Sequence, residues 1–516
     1  MLAKRITALL AGAVVAAGLL APQGADAGKS DDTMTIAFQR GIMTLDYLYT
    51  TKREYIIVSE VTDDNLFHAD PVTMEYVPLL AKSYKYVNDT TLDVELRDGI
   101  KFHDGSPFSA DDVVYTYEWA LDKNSKFMRQ KLLSSWMKGI EKTGPLSVRF
   151  HLKMPYPLAI RDLARTLPVR KMGSYHPVAG GKPDPSAQGL NLNGLGPYKV
   201  VELDPGKKLI LERFEDYYKD SPKGRPAIKR IVVRSIPDWG TQQAELMSGG
   251  LDWMYAVPLD IAANMGATGR AIHLPGPSMR VGFIPLDAGG YTGKDNPLTK
   301  LDVRRAMIHA INRGGIVKHI VKGGASVIHS ACHPIQFGCY QDVMKYAYDP
   351  AKAKALLAGA GYPDGIELDL WAYRDKSVSE AIAADLTSAG IKVNLRYVKL
   401  ASLNKARKNR EIAAYFGTWG SGGTADTAAI AHRHWNETSD RNLSGDPKVT
   451  ELIVGAQSTI DTAKRKELYK QALSYIAEQA YWVPLYAYSL NYLLSKDLVF
   501  EPPKDGLPRL YEAKWK

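Results

Sequence analysis

The sequence is poor in cysteine: of its 516 residues only Cys332 and Cys339 carry a thiol. Their spacing is not C-x-x-C and no second pair accompanies them, which argues against a structural zinc site and leaves no metal ligand set to propose. Beyond residue 47 no uncharged apolar segment approaches the roughly 20 residues that a membrane helix needs, so a membrane-embedded product is not expected. No repeat of about 20 to 50 residues and no low-complexity tract is visible, which removes solenoids and linker-rich arrays. Catalytic signatures are missing as well. No G-x-S-x-G surrounds a serine and no H-E-x-x-H occurs, and the Gly-Ala-Gly at 359–361 follows a helical pattern where a dinucleotide loop would follow a strand.

What is present begins at the N-terminus. Lys4 and Arg5 precede an apolar run over 6–20, and Ala25 and Ala27 offer small residues at the positions a signal peptidase reads, so residues 1–27 are expected to be a cleaved signal peptide. The run is short for a span, and no cysteine near the cleavage point could take a lipid, so the expected product is soluble and periplasmic. Export to an oxidising compartment would join Cys332 and Cys339 as a disulfide worth roughly 2 to 3 kcal/mol. The alternative is a metal or redox pair. The remaining chain is longer than one hydrophobic core normally serves, so two lobes or more are expected. The formal net charge is +10, and its densest basic cluster, 405–410 (KARKNR), reads as a solvated helix face, so no nucleic-acid partner is expected.

Short alternating segments at 34–38, 91–96, 146–152, 208–214 and 228–236 read as strands, and 110–122 and 158–167 as helices, which makes an α/β or α+β chain. Helices follow at 303–311 and 350–360. The second has Asp349 as N-cap, Pro350 at its first position and Gly361 past its end. Strands at 366–371 and 391–397 flank a helix at 377–388, a β-α-β unit that implies a parallel pair. The most informative stretch is 96–119, LRDGIKFHDGSPFSADDVVYTYEW. Turns at Asp98-Gly99 and 103–107 precede a helix whose N-cap is Ser109, with Asp112 reaching back in a shortened capping box and Phe108 stapling onto Val113.

That stretch resembles the signature of the extracellular solute-binding proteins of the peptide, nickel and opine uptake family, the receptors of ABC importers. Further segments resemble the family in order: 78–84 (PLLAKSY), 194–198 (GLGPY), 206–218, 245–252 (ELMSGGLD), 301–313 and 348–357 (YDPAKAKALL). The resemblance implies a two-lobe periplasmic-binding-protein (Venus flytrap) fold of the large type. Lobe I would comprise 28–277 and 483–516, with an extra subdomain inserted at about 66–189, and lobe II 278–482. Segments 280–285 (RVGFIP) and 482–488 (WVPLYAY) would form the hinge. The function implied is a receptor that captures a peptide or peptide-like solute between the lobes and delivers it to an inner-membrane ABC permease. It would act as a monomer, without cofactor and without catalysis. An opine, an oligosaccharide or a metal chelate is the alternative cargo, and a secreted hydrolase the more distant reading.

Peptide-binding members capture the ligand's ammonium group with an aspartate in W-x-x-D or W-x-G-D. Here 418–426 reads TWGSGGTAD: Trp419 is in place, Ser421 or Gly422 stands where the early acid would be, and Asp426 is the first acid. Either Asp426 takes the ammonium, or the cargo lacks one and Asp426 caps the helix that follows. Arg374 ends a strand where family members place a carboxylate-binding arginine, and is preferred to Arg53. Trp371, Tyr373 and Tyr47 join Trp419 as aromatics able to line a site. His432 and His434 form the densest histidine cluster, but on a helix they would face different sides; a solvent-facing helix end is the plain reading. His103 and Asp104 belong to the signature turn and are read as structural.

Overall fold

A computed structural model describes residues 29–516 apart from 51, 176, 179–181, 184–188 and 190; the expected signal peptide lies outside the described residues. The strand Thr33–Phe38 is buried along its whole length, as a strand covered on both faces must be. It lies parallel to Arg230–Ser235 on one side and to Trp253–Met254 on the other. Tyr198–Asp204 and Lys208–Arg213 extend the first side as an antiparallel ribbon.

On the other side two long strands, Ile272–Pro285 and Trp482–Leu494, leave this sheet paired antiparallel to each other. At their far end they carry Gly417–Trp419 and Ser326–Val327, so one continuous sheet passes from the N-terminal half of the molecule into a second body. That body contains a parallel sheet in which Ile366–Ala372 lies between Ile391–Tyr397 and Ala414–Tyr415, with Lys376–Ser388 as the crossover helix. The parallel pair read from the sequence is therefore present.

The crossing ribbon is irregular, with one register shift between Gly282 and Phe283 and a larger one before it. The larger lies between Pro277 and Val281, where Met279 adopts φ +52° and the Ser278 hydroxyl donates to the Tyr488 carbonyl at 2.9 Å. A bulge of this kind re-aims the side chain beside it, here Arg280.

A four-stranded antiparallel sheet, in the order Ala81–Asn88, Thr91–Leu96, Ser147–Leu152 and Met137–Gly144, packs on the helix Ala110–Leu121 over a core of its own that includes Leu92, Val94, Val113, Tyr117 and Phe150. Ser109 caps that helix: the Asp112 carboxylate accepts its backbone N–H at 2.8 Å, completing the capping box. The signature turn docks on 194–198. The His103 N–H donates to the Gly194 carbonyl (3.0 Å) and its ring meets the Gly196 carbonyl (2.9 Å). A Cβ at Gly196 would sit 2.5 Å from the Asp63 amide nitrogen, so that close approach requires glycine.

Candidate functional site

Between the two bodies lies a cavity of about 470 Å³ with walls from both. Arg53 and Ile56, in the first turn of the helix Arg53–Thr62, and Leu507 form one side; Tyr373, Thr418, Trp419, Ser421 and Arg441 form the other. Arg280 and Phe283 reach in from the crossing strand. A second cavity of about 270 Å³ shares Ile56, Gly422 and Leu507 with the first and continues towards Tyr47, Arg129 and Arg161.

The aromatic base of the crevice is built at the crossing. Phe283 stacks on Trp482 with centroids 3.7 Å apart and planes 9° from parallel. His434 stands edge-on to Phe283, Trp482 and Trp419 at 5.0, 4.8 and 5.6 Å. Trp419 is held by its indole N–H on the Ala429 carbonyl (3.0 Å), and the Arg441 guanidinium lies over its ring at 5.4 Å. His434 is 1% exposed, so the reading of this segment as a solvent-facing helix end is corrected for that residue. Burial first, then the charges of Arg441 and Arg407, hold its pKa well below the ordinary imidazole value. His432 is exposed and meets Gln457 instead. The two thus lie on different sides of the helix Ala428–Trp435, and among the described residues no cluster of three or more His, Cys, Asp or Glu could hold a metal.

The Thr418 hydroxyl is a convergence point. It accepts from Arg280 Nη1 at 2.9 Å and Arg374 Nη1 at 3.1 Å, and lies 3.2 Å from the Tyr373 hydroxyl. Arg374 stands behind this wall; its Nε donates to Asp375 at 3.2 Å and its guanidinium covers the Tyr488 ring. Of the two arginines weighed from the sequence, Arg53 is the one that lines the cavity, with Nη1 donating to the Gly506 carbonyl (2.8 Å) and the Tyr255 hydroxyl (3.3 Å). Trp371 lies away from the cavity, its ring covered by Arg396. Tyr47 belongs to the second compartment, with Arg129 over its ring at 4.4 Å and its hydroxyl donating to the Arg165 carbonyl.

Asp426 is engaged elsewhere. Its carboxylate takes Arg465 Nη2 at 2.9 Å, with both side chains 7% exposed, and accepts the Ala428 N–H at 2.8 Å at the head of the helix. The loop before it is unusual. Ser421, Gly422 and Gly423 all have left-handed backbones, with φ of +49°, +58° and +77°, a conformation that costs a non-glycine residue on the order of 1 kcal/mol. Ser421 is 8% exposed and its hydroxyl has no hydrogen-bond partner among the described residues. A strut supports this loop from behind. Cys332 and Cys339 form a disulfide, and the residues it encloses bond to the loop: Gln336 donates to the Thr424 carbonyl (2.9 Å) and the Phe337 N–H to the Ala425 carbonyl (2.8 Å).

Sequence reasoning missed Arg280, Arg407 and Arg441. Arg407 is buried and paired with Asp440 at 3.1 Å. No sequence pattern marks Arg280, because its direction depends on the bulge.

Two bodies joined by a pair of crossing strands, with one crevice lined from both, define a two-lobed solute-binding protein. The sequence profile of the bacterial extracellular solute-binding proteins, family 5, matches residues 75–442, and the chain belongs to that family, whose members are receptors of ABC transporters. It is 27% identical over 440 residues to the glutathione-binding protein of Salmonella paratyphi A, covering 82% of this chain and 83% of that one. It is 25% identical over 445 residues to heme-binding protein A of Haemophilus influenzae, covering 80% and 79%. The solved structure of HbpA2 from Haemophilus parasuis has the same fold, with a TM-score of 0.84 over 94% of this chain and all of that one at 24% identity.

Proposed function

We propose that the chain is the periplasmic receptor of an ABC importer, exported by a cleaved signal peptide, which closes its lobes over a peptide-sized solute and hands it unaltered to the inner-membrane permease. The observation that carries this is the cavity itself, whose walls come from both bodies while, among the described residues, only the ribbon Ile272–Pro285 and Trp482–Leu494 joins them in a sheet. A ligand shifts such a pair of states only through contacts it makes in the closed one, and contacts to both walls are of that kind. The glutathione-binding relative supports a peptide-like cargo. In this reading lobe I is 28–277 with 483–516 and the insertion near 66–189, lobe II is 278–482, and the bulge at Ser278 to Arg280 is the flexing point. Trp419, Ser421, Tyr373 and Arg53 contact the cargo, Tyr47 its far end, and Arg374 positions Thr418. Among the described residues no helix is long and apolar enough to cross a membrane.

The test is to denature the purified protein, weigh the released solute by mass spectrometry, add it back and follow the radius of gyration by small-angle scattering. The expected result is an unchanged solute mass after prolonged incubation and a contracted particle on rebinding. Conversion of the solute, or binding without contraction, would refute the receptor reading.

A further inference from the structure

The charge of the larger cavity is one-sided, whereas the second compartment also has Glu60 and Asp162 in its lining. Five guanidinium groups stand in or directly behind the wall of the larger cavity, and no aspartate or glutamate lines it among the described residues. Two of the five have carboxylate partners: Arg374 has Asp375 and Arg407 has Asp440. Arg53, Arg280 and Arg441 have none within ion-pair distance among the described residues. The acid that most influences Arg53, Asp505, is already bonded to Arg165 and Arg509. Burial, and after it the charge of Arg374, lowers the pKa of Arg280. Lobe closure would remove further water from these cations, which is costly unless an opposite charge enters with the ligand. The buried Ser421 hydroxyl adds an unpartnered group on the same wall, in a backbone conformation that serine adopts only at a cost.

We infer that the crevice selects a solute carrying at least two acid groups, carboxylate or phosphate, held between Arg53 on one side and Arg280 and Arg441 on the other, with the Ser421 hydroxyl donating to one of them. This deepens the receptor reading and rests on it. Two acid groups follow from position. Arg53 approaches from the helix Arg53–Thr62 of the first body, whereas Arg441 lies over Trp419 in the second and Arg280 turns in from the bulge between them, so a single anion bonded at one wall leaves the other wall's charge uncompensated. Guanidinium suits either acid, since its fixed fork of N–H donors matches the paired oxygens of a carboxylate or phosphate. A peptide's ammonium group, by contrast, would meet no carboxylate in the larger cavity, and the two acids that line the second, Glu60 and Asp162, are already paired with Arg165 and Arg161. The formal net charge of +10 also favours encounter with anions.

The experiment measures melting temperature and radius of gyration against matched pairs: Asp-Glu dipeptide with Asn-Gln dipeptide, citrate with trimethyl citrate, fructose 1,6-bisphosphate with fructose, and putrescine as a cation. At least one acidic member is expected to stabilise and contract the protein and to bind about 10- to 100-fold more tightly than its partner, the range for losing a hydrogen bond to a charged group. The triple substitution Arg53→Gln, Arg280→Gln and Arg441→Gln should abolish that preference. Should the triple variant not fold, Arg441→Gln alone reads the same loss at about tenfold. The carboxylate and phosphate arms report which acid is taken. Equal binding of a neutral partner, or a preference that survives the substitutions, would overturn the inference. Contraction by neutral or cationic probes with none by acids would leave the receptor reading standing and defeat the charge assignment. No contraction by any probe would defeat both.

Discussion

Asp426 is the residue on which sequence and structure pull furthest apart, and its removal separates two accounts of the crevice. As an ammonium-binding acid it would be dispensable for folding and essential for binding. In the structure its carboxylate is spent on Arg465 Nη2 at 2.9 Å and on the Ala428 N–H at 2.8 Å. Asp426→Ala removes a helix cap, worth about 1 kcal/mol. It also leaves Arg465, 6% exposed, as a buried charge without its counter-ion, which costs about 3 to 5 kcal/mol. The sum, about 4 to 6 kcal/mol, is large for a domain of this size. At about 2 to 4 °C per kcal/mol it should lower the melting temperature of the unliganded protein by about 10 °C or more. The double variant Asp426→Leu with Arg465→Met should recover most of the loss, because a buried pair can be replaced by apolar side chains of similar volume at little net cost. Differential scanning calorimetry reads both changes, and isothermal titration with the tightest acidic probe should find affinity within about twofold of wild type at a temperature where each variant is folded. An Asp426→Ala protein that melts within 2 °C of wild type but binds tenfold or more weakly would refute the reasoning and return Asp426 to the ligand.

Two further outcomes follow from the scaffold. Reducing the Cys332–Cys339 bond, which spans a sequence separation of 7, should cost about 2.4 kcal/mol by loop entropy. It should also speed amide exchange across the supported loop at 421–427; an unchanged urea midpoint after thiol titration confirms full reduction would contradict this. His434 and His333 are buried with folded-state pKa values below the unfolded value, His333 near 4, in both cases because burial disfavours the charged ring. The unfolded chain therefore takes up protons first as pH falls through about 6.5, and stability present above that pH is lost below it, by about 2 kcal/mol per histidine at pH 5. Denaturation at pH 7.5 and 5.0 should show this, and His434→Phe, which keeps the aromatic contacts, should remove about half of that combined loss; an undiminished slope would sink the assignment.

The parts of the fold that were legible are those whose cause is local. Ser109 with Asp112, and Asp349 with Pro350, announce helix starts within four residues, and both caps form as read, the second with Asp349 accepting from Lys352 at 2.9 Å. The unit 366–397 declares itself by two apolar runs around one helical period. The same kind of signal was present and unread at Asp446 and Asp461, which cap the helices Pro447–Ser458 and Thr462–Glu478. Met137–Gly144 was illegible for another reason: it is a polar edge strand, with two of its eight residues buried, and edge positions demand no alternation.

Asp426 shows why the crevice was harder to read than the frame. A capping aspartate and a ligand-binding aspartate look the same in a sequence, and what separates them is Arg465, 39 residues further along the chain. The arginines repeat the point. Arg374 draws attention by its position at a strand end, yet Asp375 beside it already neutralises part of its charge. Arg280 reaches the cavity because a bulge at Ser278, which bonds to Tyr488 across a sequence separation of 210, turns it inward, and Arg441 does so by covering Trp419. Whether a cation in this molecule is available to a ligand is therefore decided by which acids the fold has already assigned to it. An excess of unassigned cations can be seen only after those pairs are known, and for the same reason substituting Asp375, which frees Arg374 at the back of Thr418, should strengthen rather than weaken the hold on an acidic solute.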